Sequence, residues 1–226
     1  MDLRRSLPVP GPIYAIADAG ALGERSIAGA VAEMAAAGVR TIQVRGKRWS
    51  GRQWYDAVES CCRALEGSGA VLWVDDRADV AALFPGRPIH HGRHSRQAVS
   101  GVHLGQDDLP PAAARRILGP APWIGLSTHD ERQLAAADAD PEVDLIAVGP
   151  VFPTTGKEAP DAVVGLDFVR LARAATRKPL VAIGGIEPAN ALAVLAAGAD
   201  AAVALGAVCR GDVRLNCRRL LAAVSA

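Results

Sequence analysis

The stretch LVAIGGIEPANALAVLAAGADAAVALG, residues 180–206, carries the grammar of the whole chain. A short apolar run, Leu180 to Ile183, is closed by Gly184 and Gly185. Pro188 then suits a helix start and Gly198 its stop. A second apolar run, Ala201 to Leu205, follows at once. Neither run alternates apolar with polar residues, so both read as strands buried on two faces, as in a parallel sheet covered by helices.

The same unit recurs outward from this stretch. Further strand-like runs are Ile13 to Ala17, Val39 to Val44, Ala70 to Asp75, Gly101 to Leu104, Trp123 to Leu126 and Asp144 to Val148. Between the first two, Ser26 to Ala37 sets Ile27, Ala30, Val31, Met34 and Ala35 at helical spacing, and Gly38 stops the helix. No Ser- or Pro-rich linker divides the chain. Eight strand and helix units predict an α/β fold, a single (β/α)8 TIM barrel over residues 1–226. A doubly wound open sheet is the alternative. Residues 1–12 read as an N-terminal extension. Residues 84–100, FPGRPIHHGRHSRQAVS, read as a His- and Arg-rich insertion between the third helix and the fourth strand. His90, His91 and His94 have no carboxylate or Cys among them, which favours a solvated insertion over a metal site.

Composition limits the function classes. Of 226 residues, 50% are hydrophobic and 22% charged, and 25 Lys plus Arg against 24 Asp plus Glu leave a net charge of +1. That balance argues against a nucleic-acid partner, which leaves a basic excess. The four cysteines, Cys61, Cys62, Cys209 and Cys217, lack metal-type spacing and read as buried thiols. No apolar run is long enough for a signal peptide or a membrane span, so a cytoplasmic protein is expected.

In a barrel the chemistry gathers at the C-terminal ends of the strands. There Gln43, Arg45 and Lys47 alternate, and a continued extended backbone would aim all three to one side. Two cations and an amide suit a diphosphate. Asp75 and Asp76 end the third strand, while Asp107 and Asp108 lie just past the fourth. Converging carboxylates of this kind call for a hard cation such as Mg²⁺, although Asp107 ahead of Pro110 and Pro111 also reads as a helix cap. Gly184, Gly185 and Gly206 end strands seven and eight, where backbone amides hold a phosphate in many barrels. The segment Gly149 to Lys157 is long and polar enough to close over a ligand.

The ordered set QVRGK (43–47), DDR (75–77), GVHLGQDDLP (101–110), GLSTH (125–129), GPVFPTTGK (149–157) and AIGGI (182–186) closely resembles the thiamine phosphate synthase family, from Tyr14 onward. The resemblance implies a transferase that couples hydroxymethylpyrimidine diphosphate with thiazole phosphate, releasing pyrophosphate. It assigns Arg45, Lys47 and Lys157 to the diphosphate, with Ser127 on the leaving group and Thr154 and Thr155 in the closing loop. Asp76 and Asp108 become Mg²⁺ ligands. Tyr14, Gln43 and His103 fall on the pyrimidine side, Asp75 on the diphosphate side, and Gly184, Gly185 and Gly206 around the thiazole phosphate. The implied partners are these two small molecules, with neither nucleic acid nor membrane, and a homodimer is left open.

Three positions depart from the family pattern. Asp75 replaces a usual Asn, Gly156 a hydroxyl residue, and Gly206 a phosphate-binding Ser. A related thiazole tautomerase, in which His129 would move protons, is therefore the alternative, and a non-catalytic phosphate-ligand binder is a third. Retention of Asp76, Asp108, Lys47 and Lys157 favours the synthase.

Overall fold

A computed structural model describes residues 8–85, 98–154 and 162–225. Eight parallel strands close into a barrel in sequential order: β1 (Ile13–Asp18), β2 (Thr41–Arg45), β3 (Val71–Asp75), β4 (Val99–Leu104), β5 (Trp123–Thr128), β6 (Leu145–Val148), β7 (Leu180–Ile183) and β8 (Ala201–Ala204). Pairing of Tyr14 with Val203 joins the last strand to the first, so the sheet has no edge. The open-sheet alternative is thereby excluded.

Ten helices surround the described barrel: α1 (Ala19–Leu22), α2 (Ile27–Ala37), α3 (Gly51–Ala64), α4 (Ala78–Ala81), α5 (Pro111–Leu118), α6 (Glu131–Ala139), α7 (Gly165–Ala175), α8 (Ala191–Ala196), α9 (Gly206–Cys209) and α10 (Val213–Val224). Helix α2 forms as its pattern predicts, with Ser26 accepting from the Gly29 amide and Gly38 in the left-handed region. The Val39 amide donates to Met34 within that helix stop, so β2 starts at Thr41 rather than at Val39. Helix α8 is shorter than 188–198 predicts. The Asn190 side chain accepts from Glu187 and donates to the Gly185 carbonyl, which turns residues 188–190 away from helix.

Two cores result. Helix-facing strand residues such as Ile42, Leu72 and Ile146 pack with the helices. Tyr14, Trp73, Trp123, Leu145 and Val203 fill the barrel interior. Val9 joins that interior cluster, and the Trp73 indole donates to the Pro8 carbonyl at 3.3 Å. Residues 8 and 9, read as extension, thus close the barrel floor. The four cysteines are free and buried, as expected. The edges of the 84–100 segment are structural, since Val99 and Ser100 belong to β4 and the Val99 amide donates to Phe84. His90, His91 and His94 lie outside the described residues. Among the described residues no helix is long and apolar enough to cross a membrane.

Candidate active site

Above the tryptophan layer, the strands end in inward-facing polar residues. Gln43 of β2 is buried and donates through Nε2 to the Tyr14 hydroxyl at 3.0 Å. Burial, then the charge of Asp75, holds the Tyr14 pKa well above the usual phenol range, so the ring stays neutral. On the opposite side His103 of β4 reaches Ser127 of β5, with 3.0 Å between Nε2 and Oγ. Gln106, in the loop after β4, donates to the Ser127 carbonyl at 2.6 Å. Ser127 is therefore held through both its hydroxyl and its backbone.

The charged cluster lies between these polar pairs. Arg45 bonds the Asp18 carboxylate on one side and lies 3.3 Å from Asp75 Oδ2 on the other. Asp18 also caps α1, accepting from the Ala21 amide at 2.8 Å. Lys47 contacts Asp76 and lies 3.6 Å from Asp75. It does not arrive there as an extended continuation of β2. The strand ends at Arg45 and a turn follows, because Gly46 leaves room for the Trp49 ring, which would lie 2.1 Å from a Cβ at that position. The turn swings Lys47 over the carboxylates while Arg45 stays among them.

Asp76 has φ +59°, an uncommon conformation for a residue with a side chain. Its amide donates to the His103 carbonyl at 2.8 Å, which ties the β3 end to β4. Asp108 accepts from the Gly105 amide at 2.7 Å and so closes its own turn. Neither Asp107 nor Asp108 caps α5, whose first turn has Pro110 at the cap position and no side-chain capping bond. The carboxylates crowd one another. Burial, then the charge of Asp76, pushes Asp75 up to about 7 against the pull of Lys47 and Arg45. Asp108 is pushed up by burial and by Asp76, against the Gly105 amide. For Lys47, burial works to lower the ammonium pKa, but Asp75 and Asp76 outweigh it and the net direction is up.

The β6 end is built around the glycines of β7. The Val151 and Phe152 amides donate to Ile183 and Gly184, at 2.9 and 3.0 Å. A Cβ on Gly184 would lie 2.5 Å from Pro150 Cα, and one on Gly185 2.5 Å from the Pro153 carbonyl oxygen; both glycines have positive φ. These two glycines, expected from the sequence to present amides to a phosphate, also form the seat of the 149–154 segment. His129 holds the same segment, its Nδ1 lying 2.6 Å from the Gly149 carbonyl oxygen, and its amide donates to Gln133. Thr154 is half-buried in this segment, while Thr155, Gly156 and Lys157 lie outside the described residues. Gly206 opens the four-residue helix α9.

Sequence reading left Asp18 and Gln106 without roles, although both stand at strand ends. Their partners, Arg45 and Ser127, come from neighbouring strands, and no spacing within one segment reveals such a pairing.

A closed parallel barrel with this polar and charged cluster at the C-terminal ends of its strands defines the molecule as a (β/α)8-barrel enzyme. The chain belongs to the thiamine monophosphate synthase family, whose model matches residues 13–208. It is 44% identical over 192 residues to the thiamine-phosphate synthase of Koribacter versatilis, covering 83% of this chain and 84% of that protein. The thiamine-phosphate synthase of Chloroflexus aurantiacus is 36% identical over 214 residues, covering 94% and 92%. Among solved structures, a thiamine phosphate pyrophosphorylase from Pyrococcus furiosus superimposes with a TM-score of 0.80 at 30% identity, covering 99% of this chain and 98% of that one. Members of this family are transferases.

Proposed function

We propose that this chain joins hydroxymethylpyrimidine diphosphate to thiazole phosphate at the barrel mouth, forming thiamine phosphate and pyrophosphate in the cytoplasm. The observation that carries this reading is the contact of Lys47 with Asp76 beside Asp75 and Arg45, flanked by Gln43 and by the His103–Ser127 pair. Cations and carboxylates interleaved in this way suit an anion that arrives with its own cation.

The donor set fits Mg²⁺. Asp76 and Asp108 offer hard oxygens; burial first and then Asp76 push the Asp108 pKa up, and a cation would relieve the part that comes from Asp76. Among the described residues no three carboxylate, imidazole or thiol groups form a ready-made cage. Mg²⁺ needs none, since it takes one or two carboxylates and completes its shell with water and phosphate. When bound, such an ion would neutralise part of the diphosphate charge.

In the proposed step the bond from the pyrimidine methylene carbon to the diphosphate oxygen breaks, and the electron pair leaves with the diphosphate. The thiazole nitrogen then bonds to the methylene carbon and takes up its positive charge. Lys47 and Arg45, with Lys157, balance charge on the leaving group, and Ser127 donates to it. Gln43 and His103 orient the pyrimidine. The backbone around Gly184, Gly185 and Gly206 receives the thiazole phosphate, and the 149–157 segment keeps water from the cation. The tautomerase alternative has no use for this acidic and basic cluster.

The test is a coupling assay with both substrates and Mg²⁺, following pyrophosphate release with and without EDTA. Metal-dependent formation of thiamine phosphate is expected. Thiazole phosphate binding without product would overturn the reading and turn attention to His129.

A further inference from the structure

Gly125 sits in β5 directly opposite His103 of β4, as register partners in the barrel wall. Both are inward positions, as is Ser127 two residues further on. A Cβ built on Gly125 would lie 2.5 Å from His103 Nδ1, 3.2 Å from its Cε1 and 3.2 Å from Leu145 Cδ2. Ordinary contact between such atoms is about 3.5–4.0 Å. The imidazole therefore occupies the space that any other residue at 125 would fill with its own side chain. The strand does not need glycine for its backbone, since Gly125 is not among the glycines with positive φ.

The room has a directional consequence. With its ring lying over Gly125, His103 reaches Ser127 Oγ at 3.0 Å through Nε2. A methyl group at 125 would displace the ring by about 1 Å, enough to lose that hydrogen bond. We infer that Gly125 is a positioning residue: it provides the seat that holds the His103 imidazole against Ser127 and so sets the wall of the pyrimidine pocket. The inference rests on the synthase reading only for the substrate named; the seat itself is a matter of packing.

The layer below supplies an internal parallel. Gly101 of β4 pairs with Trp73 and Trp123, and a Cβ there would lie 2.8 Å from the Trp73 ring and from the Trp123 carbonyl oxygen. One glycine admits the ring that fills the barrel, and the next admits the ring that faces substrate. Large and small inward residues alternate around a barrel in this way so that each layer fills without overlap.

The experiment compares wild type, Gly125→Ala, His103→Ala and the double variant. The His103 ring nitrogens, assigned among the five histidines by loss of signal in His103→Ala, are followed by ¹⁵N NMR. Gly125→Ala is expected to shift the His103 Nε2 signal and to lower kcat/KM for the pyrimidine diphosphate on the order of a hundredfold, with the KM for thiazole phosphate within twofold of wild type. Once His103 is Ala, the added methyl meets no ring. The double variant should then match His103→Ala in activity and in melting temperature. An unchanged His103 signal in Gly125→Ala, or an equal cost of the methyl in the His103→Ala background, would overturn the inference. If Gly125→Ala does not fold, the double variant decides: folding supports the seat, and failure assigns Gly125 to the strand itself. The NMR arm reads the seat even if the wild-type protein makes no thiamine phosphate, so the two readings fail separately.

Discussion

Asp75 is the inner counter-ion of Arg45: its Oδ2 lies 3.3 Å from the guanidinium Nε, and the two side chains are only 10% and 17% exposed. Asp18 takes the same guanidinium from the other side. The principal fixed cation of the site is thus engaged by carboxylates, one of which stands where the family usually carries an amide. Asp75→Asn should free part of the Arg45 and Lys47 charge for the diphosphate and lower its KM by roughly tenfold, about 1.4 kcal/mol. Steady-state kinetics and inhibition by pyrophosphate check this. A higher KM would mean that the carboxylate itself serves the bound cation.

Asp76 and Lys47 form the outer pair, and Lys47 is half exposed where Asp76 is mostly covered. Asp76→Ala should abolish Mg²⁺-dependent turnover while leaving thiazole phosphate affinity within about twofold, under 0.5 kcal/mol. Calorimetric titration with thiazole phosphate alongside the coupling assay separates the two effects. Equal loss of both would remove Asp76 from the metal role.

Gln106 braces Ser127 by donating to its carbonyl at 2.6 Å. Gln106→Ala should lower kcat about tenfold, with little change in melting temperature, because the side chain is exposed and its partner lies at the reacting end of β5. Gln106→Glu, which cannot donate when ionised, should behave like Ala. Full activity in both variants would show that β5 holds Ser127 without help.

The opposite end of the barrel carries stability. Arg115 donates to Glu142 and to Asp144, at 2.9 and 2.7 Å, and to the Pro122 and Gly119 carbonyls; Asp144 in turn accepts from the Ile124 amide. Arg173, Asp200 and the Leu180 amide repeat the arrangement two strands on. Burial separates the two: Arg115 and Asp144 are 13% and 12% exposed, Arg173 and Asp200 29% and 49%. Arg115→Ala should cost about 3 kcal/mol, and Arg173→Ala about 1 kcal/mol. Urea denaturation measures both, and kcat should be unaffected in either variant. Equal costs would mean that burial does not govern these clamps.

The floor of the barrel gives the last prediction. Deleting residues 1–9 removes Val9 from the interior and the Pro8 carbonyl from the Trp73 indole. The loss should be about 3 kcal/mol from exposed apolar surface and an unpaired buried donor. A red shift of tryptophan fluorescence should accompany it as water reaches Trp73. An unchanged spectrum and stability would return these residues to the status of an extension.

What the sequence determined by itself was the repeat. Unbroken apolar runs and glycine stops specify eight buried strands and the helices between them, because the period of hydrophobicity and the conformational freedom of glycine are local properties. The same locality made the chemistry at the strand ends legible, since a barrel places every strand end at one mouth. Locality also set the errors. Lys47 was expected on an extended strand, and only the packing of Trp49 on Gly46 bends it over Asp76. Gly184 and Gly185 were legible as a glycine turn at the end of β7, but the 150–153 backbone that packs on them is set only in the fold. The tertiary structure alone decided which residues meet across strands: Asp18 with Arg45, Gln106 with Ser127, and His103 over Gly125. Those contacts depend on register between strands about 20–30 residues apart, the length of a strand–helix unit, and on the volume that each side chain leaves free for its neighbour, neither of which is written in the spacing of any one segment.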